Sequence, residues 1–218
     1  MADMIKDHVL DRPNSYIGRS VPRPNAKRLL SGRGTFTDDV KLPRLTHVAF
    51  LRSTYAHAEI VSIDVSAAKE SDGVVAVVTG SEMAEMCSPW VGVLSHLEGL
   101  KSAPQHALAV KKASWQGEPV VAVVANSRAQ AEDAIELIDI EWNELPVVTD
   151  METALDADTP LIHPELGDNL AWRRDLDVGD VDAAFANADH VIEETYISNR
   201  HTGVCLETRG ILADYNPG

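Results

Sequence analysis

The sequence predicts an α+β chain in which short helices cover one face of a mixed β-sheet, and three observations carry that expectation. Apolar and polar residues alternate at period two from Leu45 to Arg52 and from Ala58 to Val65, the pattern of half-buried strands. Two continuous valine-rich runs, Gly73 to Gly80 and Val120 to Val124, suit strands buried on both faces. A short stretch with helical character adjoins each run. Two strand-helix-strand units therefore echo one another and suggest a split, two-layered sandwich.

Residues 1–30 contain Pro13, Pro22 and Pro24 and several arginines, show neither helical nor strand periodicity, and read as an extended arm. A first domain is expected over 31–149. Within it Ser66 is placed to cap a helix over Ala67 to Glu70, ahead of the strand at Gly73. The stretch from Met83 to Ala113, with Pro89, Pro104, Gly92, Gly99 and two histidines, reads as a long excursion. About thirty structureless residues inside a compact domain favour a functional or partner-contacting loop over a simple connection. Order returns at Pro119. Ser127 caps a helix from Arg128 to Ile138 with Ala131, Ala134, Ile135 and Ile138 on one face, and Ile140, Glu141 and Trp142 lead out as a strand. Asp-, Pro- and Gly-rich ground over 150–179 reads as a linker. Over 180–218, Asp180 caps a helix from Val181 to Ala188, while His190 to Ile197 and Gly210 to Tyr215 read as strands. Fewer than about 40 residues cannot close a core of their own, so this last segment must pack on the first domain or on further protein.

Composition narrows the function classes. The chain has 218 residues, 44% of them hydrophobic, enough for one substantial core or two smaller ones. No window reaches the roughly 18–20 apolar residues of a membrane helix, and Met1 to His8 lacks the features of a secretory signal, so a cytoplasmic location is expected. Cys87 and Cys205 are far apart and form no Cys-x-x-Cys pattern, which argues against a disulfide framework or a zinc site. Residues 1–52 hold ten Lys/Arg and five Asp/Glu, leaving nine basic and 29 acidic residues beyond, net −20. That acidic body would repel a phosphate backbone, and the basic stretch from Arg19 to Arg52 lacks interleaved aromatics, so no nucleic-acid partner is expected. Gly32 and Gly34 precede the first strand and Thr37 stands where a third glycine would belong, which argues against a dinucleotide fold. No nucleophile elbow, phosphate-binding Gly-Lys-Ser/Thr or His-Glu-x-x-His occurs.

Ordered motifs then narrow the field. Ser31-Gly32-Arg33-Gly34-Thr35-Phe36-Thr37-Asp38-Asp39, Leu51-Arg52-Ser53-Thr54-Tyr55-Ala56-His57-Ala58-Glu59-Ile60 and Gly117-Glu118-Pro119-Val120 occur in that order. Together they resemble the a/b hammerhead domain that opens the large subunits of xanthine dehydrogenase, aldehyde oxidase and aerobic carbon monoxide dehydrogenase. Gly179 to Phe185 and Leu206-Glu207-Thr208-Arg209-Gly210 resemble the opening of that family's first molybdenum-cofactor domain, so the likeness covers about residues 15–218. It implies an incomplete α+β segment after the hammerhead.

The resemblance implies an oxidative hydroxylase in which molybdenum on a molybdopterin transfers water-derived oxygen to an aldehyde, an N-heterocycle or carbon monoxide. Electrons would leave through iron-sulfur and FAD subunits. The family's Gly-Gly-Gly-Phe-Gly segment and its base glutamate are expected beyond Gly218, in molybdopterin-binding domains this chain lacks. The 218 residues alone are therefore expected to supply no catalytic residue and no metal ligand and to bind no cofactor. Glu207 and Arg209 are the residues expected near the cofactor cavity of a complete enzyme, by proximity only. His201 and Cys205, four apart, would share a helical face as metal ligands, but Tyr196, Ile197 and Val204 make the stretch strand-like. His57 reads as a hydrogen-bonded histidine at a strand start, and Glu118 as an acceptor for backbone N–H groups or an exposed loop carboxylate. The rival to a truncated hydroxylase subunit is a free-standing, non-enzymatic hammerhead for subunit assembly or partner binding, with 83–113 as its contact surface.

Overall fold

The computed structural model describes residues 16, 20–92, 94, 96–199, 201–205 and 207–215. The expectations resting on Met1 to His8, Pro13, Leu206 and the final Asn216-Pro217-Gly218 lie outside them. Backbone contacts divide the chain into one unit of residues 44–195 and another made of 1–43 with 196–218.

In the 44–195 unit the strands are β1 (His47–Arg52), β2 (Ala58–Asp64), β3 (Val74–Thr79), β4 (Lys112–Ala113), β5 (Pro119–Ala125) and β6 (Asp139–Glu144). The α+β class stands, but the single mixed sheet does not. The strands form two three-stranded sheets, ordered β1-β5-β3 and β4-β2-β6, and every pairing among the described residues is antiparallel. Each strand-helix-strand unit bridges the two sheets. A crossover whose second strand returned to the same sheet would give a parallel pair; here the second strand enters the other sheet, and the chain alternates between sheets at every step.

That alternation fixes burial. β5 is central, pairing Val123 with both Ala49 of β1 and Val77 of β3, and Val120, Val121 and Val123 are fully buried. β3 is an edge strand, which corrects the reading of its valine run as buried on both faces: Val77 is buried, whereas Val75 is 59% exposed. Central β5, helix residues Ala68, Ala131 and Ala134, and Val77 form the core, with Ile60, Ile63, Ile140 and Trp142 of the second sheet packed against it. Removing each such valine from water contributes about 2 kcal/mol.

The helices are α2 (Ser66–Lys69), α3 (Gly80–Met86) and α4 (Arg128–Ile135). α2 and α4 touch one another, α2 lying on β3 and α4 across β1 and β5, so both cover one sheet as expected. The Ser127 hydroxyl accepts from the Gln130 N–H, capping α4. At α2 the cap differs from expectation: Asp64, not Ser66, supplies the oxygen, accepting the Ser66 N–H at 2.9 Å. That bond, with the Ser66 hydroxyl, holds the Asp64 carboxyl below its ordinary pKa.

α3 occupies the start of the expected excursion. Its signal is Thr79-Gly80-Ser81-Glu82, a capping box: Glu82 accepts the Thr79 N–H at 2.8 Å and the Thr79 hydroxyl accepts the Glu82 N–H. A Cβ on Gly80 would lie 1.9 Å from the Ala109 carbonyl oxygen, so glycine alone lets α3 begin against the returning loop. The remaining loop folds back through paired backbone bonds between Trp90 and Gln105, both 2.8 Å.

Residues 150–172 lie along that loop. Lys101 pairs with Asp168 at 2.7 Å, the Trp172 indole N–H donates to the Glu98 carbonyl, and the Lys112 ammonium donates to the Ile162 carbonyl. The Lys101 ammonium, then the Leu170 N–H, holds Asp168 below its usual carboxylate range. Further on, α5 (Val181–Ala186) is capped as expected by Asp180, which accepts the Ala183 N–H at 2.9 Å.

The unit of 1–43 and 196–218 has no buried residue among those described. The arm is not wholly extended: α1 (Ala26–Leu30) interrupts it, followed by a 3-10 turn at Thr37–Asp39. The expected strands over 190–197 and 210–215 do not form. A strand exists only as paired backbone, and neither stretch belongs to either sheet.

Candidate functional site

Two places collect the residues singled out in the sequence. In the 44–195 unit, the 51–60 and 114–119 motifs are stitched together edge to edge. The Ser53 N–H donates to the Glu118 carbonyl at 2.9 Å, and the Gly117 N–H to the Ser53 carbonyl at 2.8 Å. A register shift between Leu51 and Arg52 re-aims the Arg52 side chain. Its guanidinium donates to the Gly117 carbonyl at 2.8 Å and sits 5.7 Å from the Phe50 ring centroid. Glu118 accepts the Ser114 N–H at 2.6 Å, the first of the two roles its sequence position allows.

His57 is buried, 5% exposed, one residue before β2, and its Nδ1 lies 2.7 Å from the Pro146 carbonyl. The ring thereby ties the start of β2 to the exit of β6, as a hydrogen-bonded histidine at a strand start should.

Beside this seam the folded-back loop encloses an open cleft of about 450 Å³, lined among others by Arg52, Trp90, Gln105, His106, Trp115 and Glu118. The sequence marks the loop but not that Trp90 and Trp115 line one cleft. Arg52 and Glu118 are committed to backbone groups. The carboxylates held below their ordinary range, Asp64, Glu82, Glu165 and Asp168, are caps and ion-pair partners, none of them in the cleft.

The second place lies in the unit of 1–43 and 196–218. Glu207 and the 31–39 motif, 170 residues apart, meet: the Thr37 N–H donates to Glu207 Oε1 at 3.1 Å and the Thr37 hydroxyl at 3.4 Å. The turn is braced from within by the Phe36 N–H, which donates to Asp39 at 2.9 Å. Gly210 packs against the same threonine, where a Cβ would lie 2.8 Å from Thr37 Cγ2. Arg209 is exposed. His201 and Cys205 lie in a stretch that is neither helix nor strand, so the helical face needed to align them is missing. Among the described residues no group of three or more His, Cys, Asp or Glu could hold a metal ion.

Comparison with known proteins gives this seam and clasp a setting. The family model for aldehyde oxidase and xanthine dehydrogenase, a/b hammerhead domain, matches residues 31–146, and that for the molybdopterin cofactor-binding domain matches residues 162–218. The nicotine 6-hydroxylase large subunit of Paenarthrobacter nicotinovorans is 39% identical over 94% of this chain and 26% of its own length. The carbon monoxide dehydrogenase large chain of Afipia carboxidovorans is 34% identical over 83% of this chain and 23% of its own. The crystal structure of quinoline 2-oxidoreductase from Pseudomonas putida 86 superposes with a TM-score of 0.60 at 44% identity, covering 72% of this chain and 20% of that one. The chain thus spans about a quarter of the length of the curated relatives it matches.

Proposed function

Since the chain belongs to the aldehyde oxidase and xanthine dehydrogenase family through its a/b hammerhead domain, we propose that it is the N-terminal part of the molybdopterin-binding subunit of a molybdenum hydroxylase. The reaction is oxidative hydroxylation of an aldehyde, an N-heterocycle or carbon monoxide. The observation that carries this reading is the tandem order of the two family matches, hammerhead and then molybdopterin cofactor-binding domain, across most of the chain. In this reading 1–30 is an arm, 31–149 the hammerhead, 150–179 the connection and 180–218 the opening of the cofactor domain.

The residues present fit the edge of a cofactor site. Arg209 offers one exposed guanidinium to a phosphate-bearing group, the Glu207 carboxylate is engaged by Thr37, and the described residues hold no metal-ligand cluster. Molybdopterin, when bound, supplies the oxygen transfer; this chain's residues orient and enclose. Glu207 and Arg209 lie near the cavity, further molybdopterin-binding domains complete it, and iron-sulfur and FAD subunits accept the electrons. No described helix is long and apolar enough to cross a membrane, which agrees with a cytoplasmic location.

The test is molybdenum analysis on two purified proteins, the 218-residue chain and the chain extended along its reading frame past Gly218. Stoichiometric molybdenum and pterin in the extended protein, and neither in the shorter, is the expected result. Metal in the 218-residue chain, or none in the extended one, would overturn the reading, the latter outcome favouring a non-enzymatic assembly module.

A further inference from the structure

We propose that Glu207 is a positioning residue that acts through Thr37 rather than by touching the cofactor. The two halves of the clasp come from the two matched domains, one from the motif at 31–39 where the hammerhead match begins and the other from the motif at 206–210 inside the cofactor-domain match. Three groups of Thr37 meet the second motif: amide and hydroxyl donate to Glu207 Oε1, and the methyl packs against Gly210. A β-branched residue holds hydroxyl and methyl in fixed relation to its backbone, so the three contacts set both the direction and the approach of the 207–210 segment. Gly210 belongs to the same device, since its missing Cβ is what admits the threonine methyl. The clasp fixes where Arg209, between its two contact points, begins its path. Its link to cofactor loading rests on the function proposed above; the clasp itself does not.

Acceptor capacity separates this role from a direct one. Glutamine keeps an oxygen for Thr37 and loses the charge, whereas alanine loses both. Proline at 37 removes both donors, and the backbone tolerates it: Thr37 opens a 3-10 turn and Phe36 before it is extended, φ −120° and ψ 174°, as a residue before proline must be.

The experiment uses the extended chain and its variants Glu207→Ala, Glu207→Gln, Thr37→Pro and the Ala/Pro double, reading amide exchange over 31–42 and molybdenum content. Glu207→Ala is expected to speed exchange at Thr37 about tenfold, the loss of one charge-assisted hydrogen bond, and to lower molybdenum content. Glu207→Gln is expected to stay within about twofold of the parent on both readouts, because the acceptor survives. Thr37→Pro, which has no amide proton at 37 to read, should match the alanine variant in molybdenum content and in exchange over the rest of 31–42, with the double no worse than either single. The proposal is overturned if exchange at Thr37 does not change in Glu207→Ala, or if Glu207→Gln loses as much molybdenum as Glu207→Ala while its exchange stays at the parent's rate. A parent that holds no molybdenum defeats the functional reading alone, since the exchange arm still decides whether the clasp exists.

Discussion

Val123 and Ile211 are both aliphatic residues in short apolar runs, yet Val123 is fully buried at the centre of a sheet and Ile211 is 94% exposed. Their surroundings differ in the same way. The 44–195 unit places its valine run between two partner strands and under helix α4, while the other unit holds its segments together by side-chain clasps such as Thr37 with Glu207. Apolar runs are thus only candidates for a core: pairing turns one into a strand, and pairing depends on what lies alongside. Tyr196, Ile197, Val204, Ile211 and Tyr215 are all at least 72% exposed.

The strongest way to break this contrast is at Gly80. Glycine-to-alanine there drives a Cβ into the Ala109 carbonyl, a backbone atom that cannot rotate away, and is expected to cost about 3 kcal/mol. Denaturant unfolding measures it; a loss below about 1 kcal/mol would mean that α3 and the returning loop part without penalty.

A matched pair sharpens the contrast. Val123→Ala should lose about 2 kcal/mol, from lost burial and the cavity left behind. Ile211→Ser should stay within about 0.5 kcal/mol in the same chain. Equal losses would show that the exposed run already packs somewhere.

The smallest effect is an acid one. The Thr79 N–H and then its hydroxyl hold Glu82 below its ordinary value of 4.5, with a minor contribution from Lys69. A carboxyl whose folded pKa is depressed contributes stability in full above its unfolded value, and that contribution disappears as pH falls through the folded one. Protection of the α3 amides relative to their intrinsic exchange rate should therefore fall below about pH 4.5, and Glu82→Gln should abolish this acid sensitivity. An α3 equally protected on both sides of that pH would remove the capping box from the account.

Much of the fold was legible because local pattern and final environment agree: alternation over 47–52 and 58–64, the valine run of β5, and the Ser127 and Asp180 caps all became the elements they suggest. The errors have a common physical source. Periodicity reports how one segment meets its surroundings but not which segment it meets, so it gives β3 as buried on both faces and two antiparallel sheets as one mixed sheet. The tail strands failed for the same reason. α3 was legible in principle through Thr79 and Glu82, but Gly80 and the prolines beyond obscured it. At the sites, Glu118 and His57 could be read because a carboxylate or imidazole beside a buried strand must find a backbone partner. The Thr37–Glu207 clasp could not, since no local rule links residues 170 apart.

The alternation of strands between the two sheets also governs the order in which the protein can assemble as it leaves the ribosome. β1 and β3 emerge first, but they are the two edges of their sheet, and the strand that must lie between them, β5, is made only at residues 119–125. The second sheet likewise gains its long pairing only when β6 appears. A nascent chain halted before Pro119 thus carries two unpartnered valine-bearing edges with nothing to join them. Pairings this distant in sequence are slow to close, so this stretch depends most on shielding during synthesis.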